Sequence, residues 1–411
     1  MNNKNKPEIR FKEFNDDWKE YKLSELGTIM TGNTPSTNNK NFYDEKGLLW
    51  VTPTDITQNI VGDTERKLSS LGEKVARIAP ENSLLITCIA SIGKNALIYE
   101  KAGFNQQINS LTPFNGQHNV YFLLTDSFNW SNLMKKIAGK LTLQIINKAA
   151  FSEIITKIPA QKEEEKKIGE YFKLIDNLIK LQEVKFEKLI ELKTAFLEKI
   201  FPEGKSNKPK IRFNTFTNPW KNCKLNDFGI ATGGTSIESD FYENGIYKVI
   251  SIGSYSEQSK YNDQGIRAVY SNKTKNKILN KGDLTMILND KSSLGKIIGR
   301  VLLIDKSNEY VYNQRTERIE INTQKYDSDF LYHLLNAPNI RSRIIRQSQG
   351  NTQIFVNWNS IKNTEYYIPS KEEQLKISIL FNSIDNLITL HQQKLEKLKN
   401  IREAMMQKML I

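Results

Sequence analysis

Two short polar clusters in this 411-residue chain carry side chains able to read the edges of nucleic-acid bases. Asn105-Gln106-Gln107 lies in the first half and Asn313-Gln314-Arg315 in the second. Carboxamides pair bidentately with adenine and guanidinium groups with guanine, so Gln107 against Arg315 would suit two sites reading different bases. The same residue types also satisfy turn backbones, which is the purely structural reading of both clusters. Lys94 and Lys296 each follow a glycine that lets backbone approach closely, and both are candidate phosphate contacts. Two further loops pair up: Thr31-Gly32-Asn33-Thr34 with Thr232-Gly233-Gly234-Thr235, whose candidates are Thr31, Asn33, Thr34, Thr232 and Thr235. A third pair holds Lys140, Thr142 and Gln144 in the first half and Asn351, Thr352 and Gln353, after Gly350, in the second.

The signatures of catalysis are missing. No Gly-x-x-x-x-Gly-Lys-Ser/Thr, no Gly-x-Gly-x-x-Gly, no Gly-x-Ser-x-Gly and no His-Glu-x-x-His occurs. An Asn/Asp-Pro-Pro-aromatic tetrapeptide, the mark of amino-methyltransferases, is absent as well. Asp44-Glu45-Lys46 could be forced into a nuclease pattern, but the matching Glu243-Asn244 loses it, so a solvated turn is expected. Cys88 and Cys223 stand far apart and His118, His333 and His391 are scattered, which speaks against a metal cluster or a disulfide scaffold and for a reducing cytoplasm.

Composition narrows the partner. Lys and Arg number 59 against 46 Asp and Glu, a formal charge of +13, and the pI is about 9.3. Such an excess favours a polyanion, most simply DNA. Hydrophobic residues make up 38%, aromatics 10% and mean hydropathy is −0.52, which fits folded domains and not a disordered chain. The strongest apolar stretch, near Ser83–Gly93, is far short of the ~18 residues of a membrane span, and the polar N-terminus carries no secretory pattern.

The elements that must position these residues are built twice. P-E-I-R-F-K-E-F-N-D-D-W-K-E-Y-K-L from Pro7 recurs as P-K-I-R-F-N-T-F-T-N-P-W-K-N-C-K-L from Pro209, an offset of 202 residues. Trp18 matches Trp220, Gly27 matches Gly229, and Ile158-Pro159 matches Ile368-Pro369. The order is kept with small gaps, so this is a domain duplication. Within each copy, short apolar runs such as Gly47–Val51, Ser83–Ala90 and Ala96–Tyr99 alternate with Gly/Asn/Pro/Thr clusters, predicting strands joined by turns. A helix is expected near Val120–Ala138, and both tryptophans are expected in cores.

Each copy ends in a long helix. Between Lys162 and Phe201 apolar residues fall at Ile168, Phe172, Ile175, Ile179, Phe186, Leu189, Phe196 and Ile200, with Gln182 and Lys193 filling the remaining steps of a coiled-coil seam. Such a helix would span about 57 Å. The second, about Glu372–Met409, is assigned the seam Leu380, Ile384, Leu387, His391, Leu398, Ile401 and Met405, with His391 in the place of Gln182 as a polar register-setter. Neither stripe can be buried alone, so the two helices are expected to face each other. Residues 162–199 are charge-neutral and 371–408 carry +2, leaving +11 on the globular parts. On that count the globular parts touch DNA and the helices separate them.

This pattern resembles the specificity subunits of type I restriction–modification systems over essentially the whole chain. The resemblance rests on the I-R-F-x-x-F…W openings, Leu-Ser-Glu-Leu-Gly and Leu-Asn-Asp-Phe-Gly, the Ile-Pro segment before Lys371-Glu372-Glu373-Gln374, and the Phe-x-x-Ile-Asp-Asn-Leu-Ile helices. One departure is visible: the first copy has Gln161-Lys162-Glu163-Glu164-Glu165 where the second has Lys-Glu-Glu-Gln. The resemblance implies α/β target-recognition domains of mixed strands and helices at 1–158 and 204–368, with spacer helices at 159–203 and 369–411 packed as an antiparallel coiled coil. Each domain would read one half of a bipartite asymmetric site in double-stranded DNA, and the helices would act as a ruler. Two methyltransferase subunits and the restriction–translocase subunits would dock on the chain. S-adenosylmethionine, ATP and Mg2+ would belong to those partners, leaving this chain without a cofactor or catalytic residue. The rival readings are a self-sufficient nuclease or methyltransferase and a coiled-coil scaffold with no DNA role.

Overall fold

The computed structural model describes residues 5–139, 144–202 and 206–411. The chain divides into two units, residues 1–183 with 393–411, and residues 184–392. Each contains one globular part and one stretch of each long helix.

The two globular parts share one plan. In the first unit a four-stranded antiparallel sheet runs Gly27–Thr31, Ile108–Pro113, Leu84–Thr87, Asn95–Leu97. In the second the order is Gly229–Gly233, Thr316–Ile321, Leu284–Ile287, Val301–Leu303. A second sheet, four-stranded in the first unit and three-stranded in the second, contains one parallel pair, Trp50-Val51 beside Gly103-Phe104 and Lys248–Ile250 beside Tyr310–Tyr312. The expected helix forms over Val120–Ala138, and its counterpart begins at Ser328. Asp44, Glu45 and Lys46 are exposed, but they lie in the strand Tyr43–Val51, at a register shift, and not in a turn.

A two-stranded ribbon closes each globular part and aims the chain into its helix. Lys19–Lys22 pairs with Ile155–Ile158, and Lys221–Lys224 pairs with Glu365–Ile368. The recurring I-R-F opening is explained by what its arginine does. Arg10 grips the buried Glu164 through Nε and Nη2 at 2.6 and 2.7 Å, and Arg212 grips Glu373 at 2.8 Å twice. A forked guanidinium–carboxylate pair is directional, so it ties each opening to the first turn of its helix. The departure at Glu165 conserves a task. Glu165 accepts the Asn119 amide at 2.9 Å, as the Gln374 carbonyl accepts that of Asp327 at 2.9 Å. Both hold the N-cap of the helix that follows.

The long helices span Lys162–Ile200 and Lys371–Met409. They run antiparallel within each unit: Asp176 pairs with Arg402 and Glu183 with Lys399 (2.7 Å) in the first, Lys193 with Asp385 (2.6 Å) in the second. Every seam residue assigned in the first helix is buried or half-buried. In the second the assignment needs correction. Leu387 and Ile401 are exposed, and the seam is Ile377, Phe381, Ile384, Ile388, His391, Leu395, Leu398, Arg402, Met405 and Met409. Apolar residues occupy adjacent positions on this helix, so two phases fit the spacing; packing selects the one that places Phe381 as Phe172 is placed. The cores take up the helices reciprocally. Met409 and Leu410 join Trp18, Phe122, Phe151 and Phe172, whereas Ile200 and Phe201 join Trp220, Phe330, Tyr366 and Phe381. Burying each such aromatic contributes roughly 1.5–3 kcal/mol.

Candidate nucleic-acid interface

The predicted loops gather at one end of each four-stranded sheet, and the same hydrogen bonds join them in both units. In the first, Cys88 donates its amide to the Gln107 carbonyl (2.7 Å) and Ile146 donates to Cys88 (2.9 Å). In the second, Leu288 donates to Arg315 and Val356 to Leu288, both at 2.9 Å. The turn after the central strand is thereby stitched to the Gln107 or Arg315 turn on one side and to the third loop on the other. The first loop joins through Gly32, whose amide meets Ile108 O at 3.1 Å, and Gly234, whose amide meets Thr316 O at 2.7 Å.

Glycine is required at these two positions. A Cβ on Gly32 would lie 2.3 Å from the Asn105 carbonyl oxygen, and one on Gly234 2.0 Å from that of Asn313. This close approach also corrects the loop alignment by one residue. Gly32 corresponds to Gly234, so Thr31 corresponds to Gly233 and Asn33 to Thr235.

The individual side chains differ in how far they are committed. Asn33 is a loop clamp: its carbonyl oxygen accepts the Arg77 amide (2.7 Å) and its amide donates to Val75 O (2.9 Å). Thr31 Oγ1 donates to Asn109 Oδ1 at 2.6 Å, and Thr34 donates to Gln106 Oε1. Gln107 accepts from Asn105 Nδ2 at 3.1 Å, and Lys94 Nζ donates to Pro53 O at 2.9 Å. Gln144 is exposed, and Lys140 and Thr142 lie outside the described residues. In the second unit Thr232, Thr235, Asn351, Thr352 and Gln353 are exposed. Gln314 donates to Glu238 at 3.1 Å and Lys296 pairs with Glu257 at 2.9 Å. Arg315 is exposed, adopts φ +67°, and forms no ion pair among the described residues. The sequence reading thus mixed adaptable surface groups with local clamps.

It also passed over the most perturbed carboxyl of the site. Glu317 lies two residues beyond Arg315, opposite Gly233 in the strand register, and is only 6% exposed. Burial pushes its pKa up to about 7, with Lys277 opposing that shift. Lys277 spends a hydrogen bond on Gly233 O at 2.6 Å. Glu317, Asn289, Arg315, Gln353, Asn357 and Trp358 line a cleft of about 610 Å³, and Arg315 and Gln353 also line a second of about 410 Å³ with Gln314 and Lys291. The signal in the sequence was the duplication itself, because Glu317 stands where the first copy has Asn109. In the first unit Cys88 is no nucleophile, since burial pushes its thiol up to about 12. No group of three metal-ligating side chains occurs among the described residues, nor a helix long and apolar enough to cross a membrane.

Two copies of one scaffold, each presenting a polar loop cluster at the same end of its sheet, make a duplicated recognition protein. A family profile for the type I restriction modification DNA specificity domain matches residues 15–192 and again 217–400. The MjaIX specificity subunit of Methanocaldococcus jannaschii is 22% identical over 420 residues, covering 96% of this chain and 92% of that one. The MjaVIII subunit of the same organism is 27% identical over 269 residues, 64% of this chain and 62% of its own length. The fold matches the crystal structure of the type I S subunit from M. genitalium with a TM-score of 0.65, 14% identity and 99% of each chain covered. A second chain, from a structural study of type I complex assembly, gives 0.57 at 12% identity over 95% of this chain and 97% of its own. The chain therefore belongs to the family of DNA specificity subunits of type I restriction–modification systems. Such subunits are the non-catalytic DNA-recognition component of those systems.

Proposed function

We propose that each globular part reads one half of a bipartite, asymmetric sequence in double-stranded DNA, and that the paired long helices set the spacer between the halves. One observation carries this reading: the same stitched loops stand at the same end of the same sheet in both units, with different base-reading side chains, Gln107 against Arg315. Different readers on one scaffold give different half-sites. Methylome sequencing of a host expressing an exchange of residues 7–158 tests it. One half-site should change and the other persist; a change in both contradicts modular reading.

The reading includes two methyltransferase subunits and the restriction–translocase subunits as partners in the cytoplasm, with S-adenosylmethionine, ATP and Mg2+ bound by them. Support for paired docking comes from the helices. Leu178 and Leu181 recur as Leu387 and Leu390, and all four are exposed. Repeated apolar patches suit two copies of one partner. Replacing one leucine pair by serine should cost the complex one methyltransferase copy, read by native mass spectrometry.

A further inference from the structure

Within the second unit the cleft beside Arg315 holds two acceptors that no donor among the described residues satisfies, the largely buried Glu317 carboxyl and the fully buried Asn289 Oδ1. Among the described residues nothing donates a hydrogen bond to the Glu317 carboxyl, and the buried Asn289 Oδ1 has no partner either. Leaving such groups unpaired is costly, so their placement in one cleft marks a site that takes a donor from outside. The first unit has closed the matching position. There Thr31 supplies a hydroxyl to Asn109, and Asn109 in turn donates to Cys88 Sγ at 3.2 Å. In the second unit Gly233 replaces that threonine and leaves the carboxyl free on the side of the candidate loop.

The donors that DNA bases offer are few. In the major groove, guanine and thymine present acceptors alone, whereas cytosine N4 and adenine N6 present an amine. When ionised, a carboxyl accepts in both oxygens, so it attracts the amine and repels the keto edge; an amine donor and the neighbouring Arg315 both favour that ionised form. Arg315 at the same cleft offsets the repulsion between Glu317 and the phosphates that accompany any base. Trp358 supplies an apolar wall beside the carboxyl, which strengthens a hydrogen bond made there.

We propose that Glu317 is a specificity-determining residue of the second reading domain, its carboxylate accepting a hydrogen bond from the exocyclic amine of one base in the second half-site. The inference rests on the half-site reading above and assigns that site its base chemistry.

The test uses the methyltransferase complex assembled on this chain and a duplex carrying the motif it methylates. Each cytosine or adenine of the second half-site is replaced in turn by the analogue lacking its amine, and binding is measured. At one position the wild-type complex loses about 10-fold or more in affinity, while Glu317→Ala is indifferent there. Which analogue produces the loss tells cytosine from adenine. In methylome sequencing the same variant relaxes that position and leaves the first half-site sharp. If Glu317→Ala fails to assemble, Glu317→Gln carries the test: its amide adds a donor, so guanine or thymine becomes tolerated at that position. Variants as sensitive as the wild type to every amine deletion, with both half-sites unchanged, overturn the proposal and leave the half-site reading standing. Wild-type complexes that methylate without sequence preference defeat the reading and this inference together.

Discussion

The same strand pair ends differently in the two units. In the first, Thr31 faces Asn109, and the two neutral side chains satisfy each other at 2.6 Å. In the second, Gly233 faces Glu317, and a largely buried acidic group has no hydrogen-bond donor among the described residues. The scaffold around them is shared down to individual backbone hydrogen bonds, so the difference is a local choice made on a fixed frame. A duplicated protein can keep its frame by conserving glycines and stitches while it varies what the frame displays.

The largest expected effect falls on that frame and should be equal in both units. Gly32→Ala and Gly234→Ala each drive a Cβ into a backbone carbonyl, at 2.2 and 2.0 Å, which neither strand can yield. Each should destabilise its own unit by about 3 kcal/mol or more. Hydrogen exchange resolved by mass spectrometry would check it; a loss in one unit alone would mean that the frames are not equivalent.

Acid should act with opposite signs on one buried group in each unit. His333 is buried against Phe381, donates to or accepts from Asn382 at 3.2 Å, and faces Lys193, Asp385 and Asp329. Burial lowers its pKa from 6.5 to about 4, with Lys193 adding to that shift and Asn382 and the two aspartates opposing it. The unfolded chain therefore takes up a proton that the folded chain refuses, so this site withdraws up to about 3 kcal/mol from the second unit as pH falls from 6.5 to 4, while Glu317, raised to about 7, acts in the opposite direction. Asp126 in the first unit is fully buried, and burial raises its pKa to about 6 against hydrogen bonds from Thr156, Trp130 and Asn129. Below pH 3.8 both states are protonated; as pH rises to 6 the unfolded chain ionises first, so stability is lost on the way up, again by up to about 3 kcal/mol. His333→Gln should therefore make the second core less sensitive to acid, and Asp126→Asn the first core less sensitive to rising pH, in exchange rates between pH 4 and 6; variants that leave both profiles unchanged would refute the assignment.

A smaller effect tests the contrast directly. The Cβ of a residue at Gly233 meets only the Glu317 carboxylate, at an ordinary 3.4 Å. Gly233→Thr should fit, supply the missing hydroxyl as Thr31 does, and cost roughly 10-fold in affinity for the second half-site. Competition binding with half-site variants measures it. The smallest effect concerns the helices of the second unit. Asp385→Ala removes a half-buried ion pair with Lys193 and should cost about 1 kcal/mol, whereas Asp176→Ala also strands the donors Asn59 and Tyr121 beside Arg402 and should cost about 2 kcal/mol or more. Thermal unfolding measures both, and equal losses would show that the extra partners of Asp176 contribute nothing.

Much of this was legible in the chain. The duplication, both tryptophan cores and the first helix seam follow from residue type and spacing alone, since a helix with one apolar phase has one way to be buried. The second seam was misplaced because Leu387 and Ile401 offer an equally regular phase, which only the packing of Phe381 against Phe201 and His333 rejects. The Thr-Gly loops were aligned by threonine, although glycine is the residue the geometry demands. Asn33 is a DNA-contact candidate by its place in a Thr-Gly loop, and its side chain is held by Arg77 and Val75, which are brought to it from distant sequence.

What sequence determined unaided was the repeated architecture, written in periodicities and punctuating residues that act over a few neighbours. Tertiary structure alone decided which polar groups are spent inside the protein and which remain unspent. Whether an acceptor finds a donor depends on strands that meet across some eighty residues of chain, as Glu317 and Gly233 do.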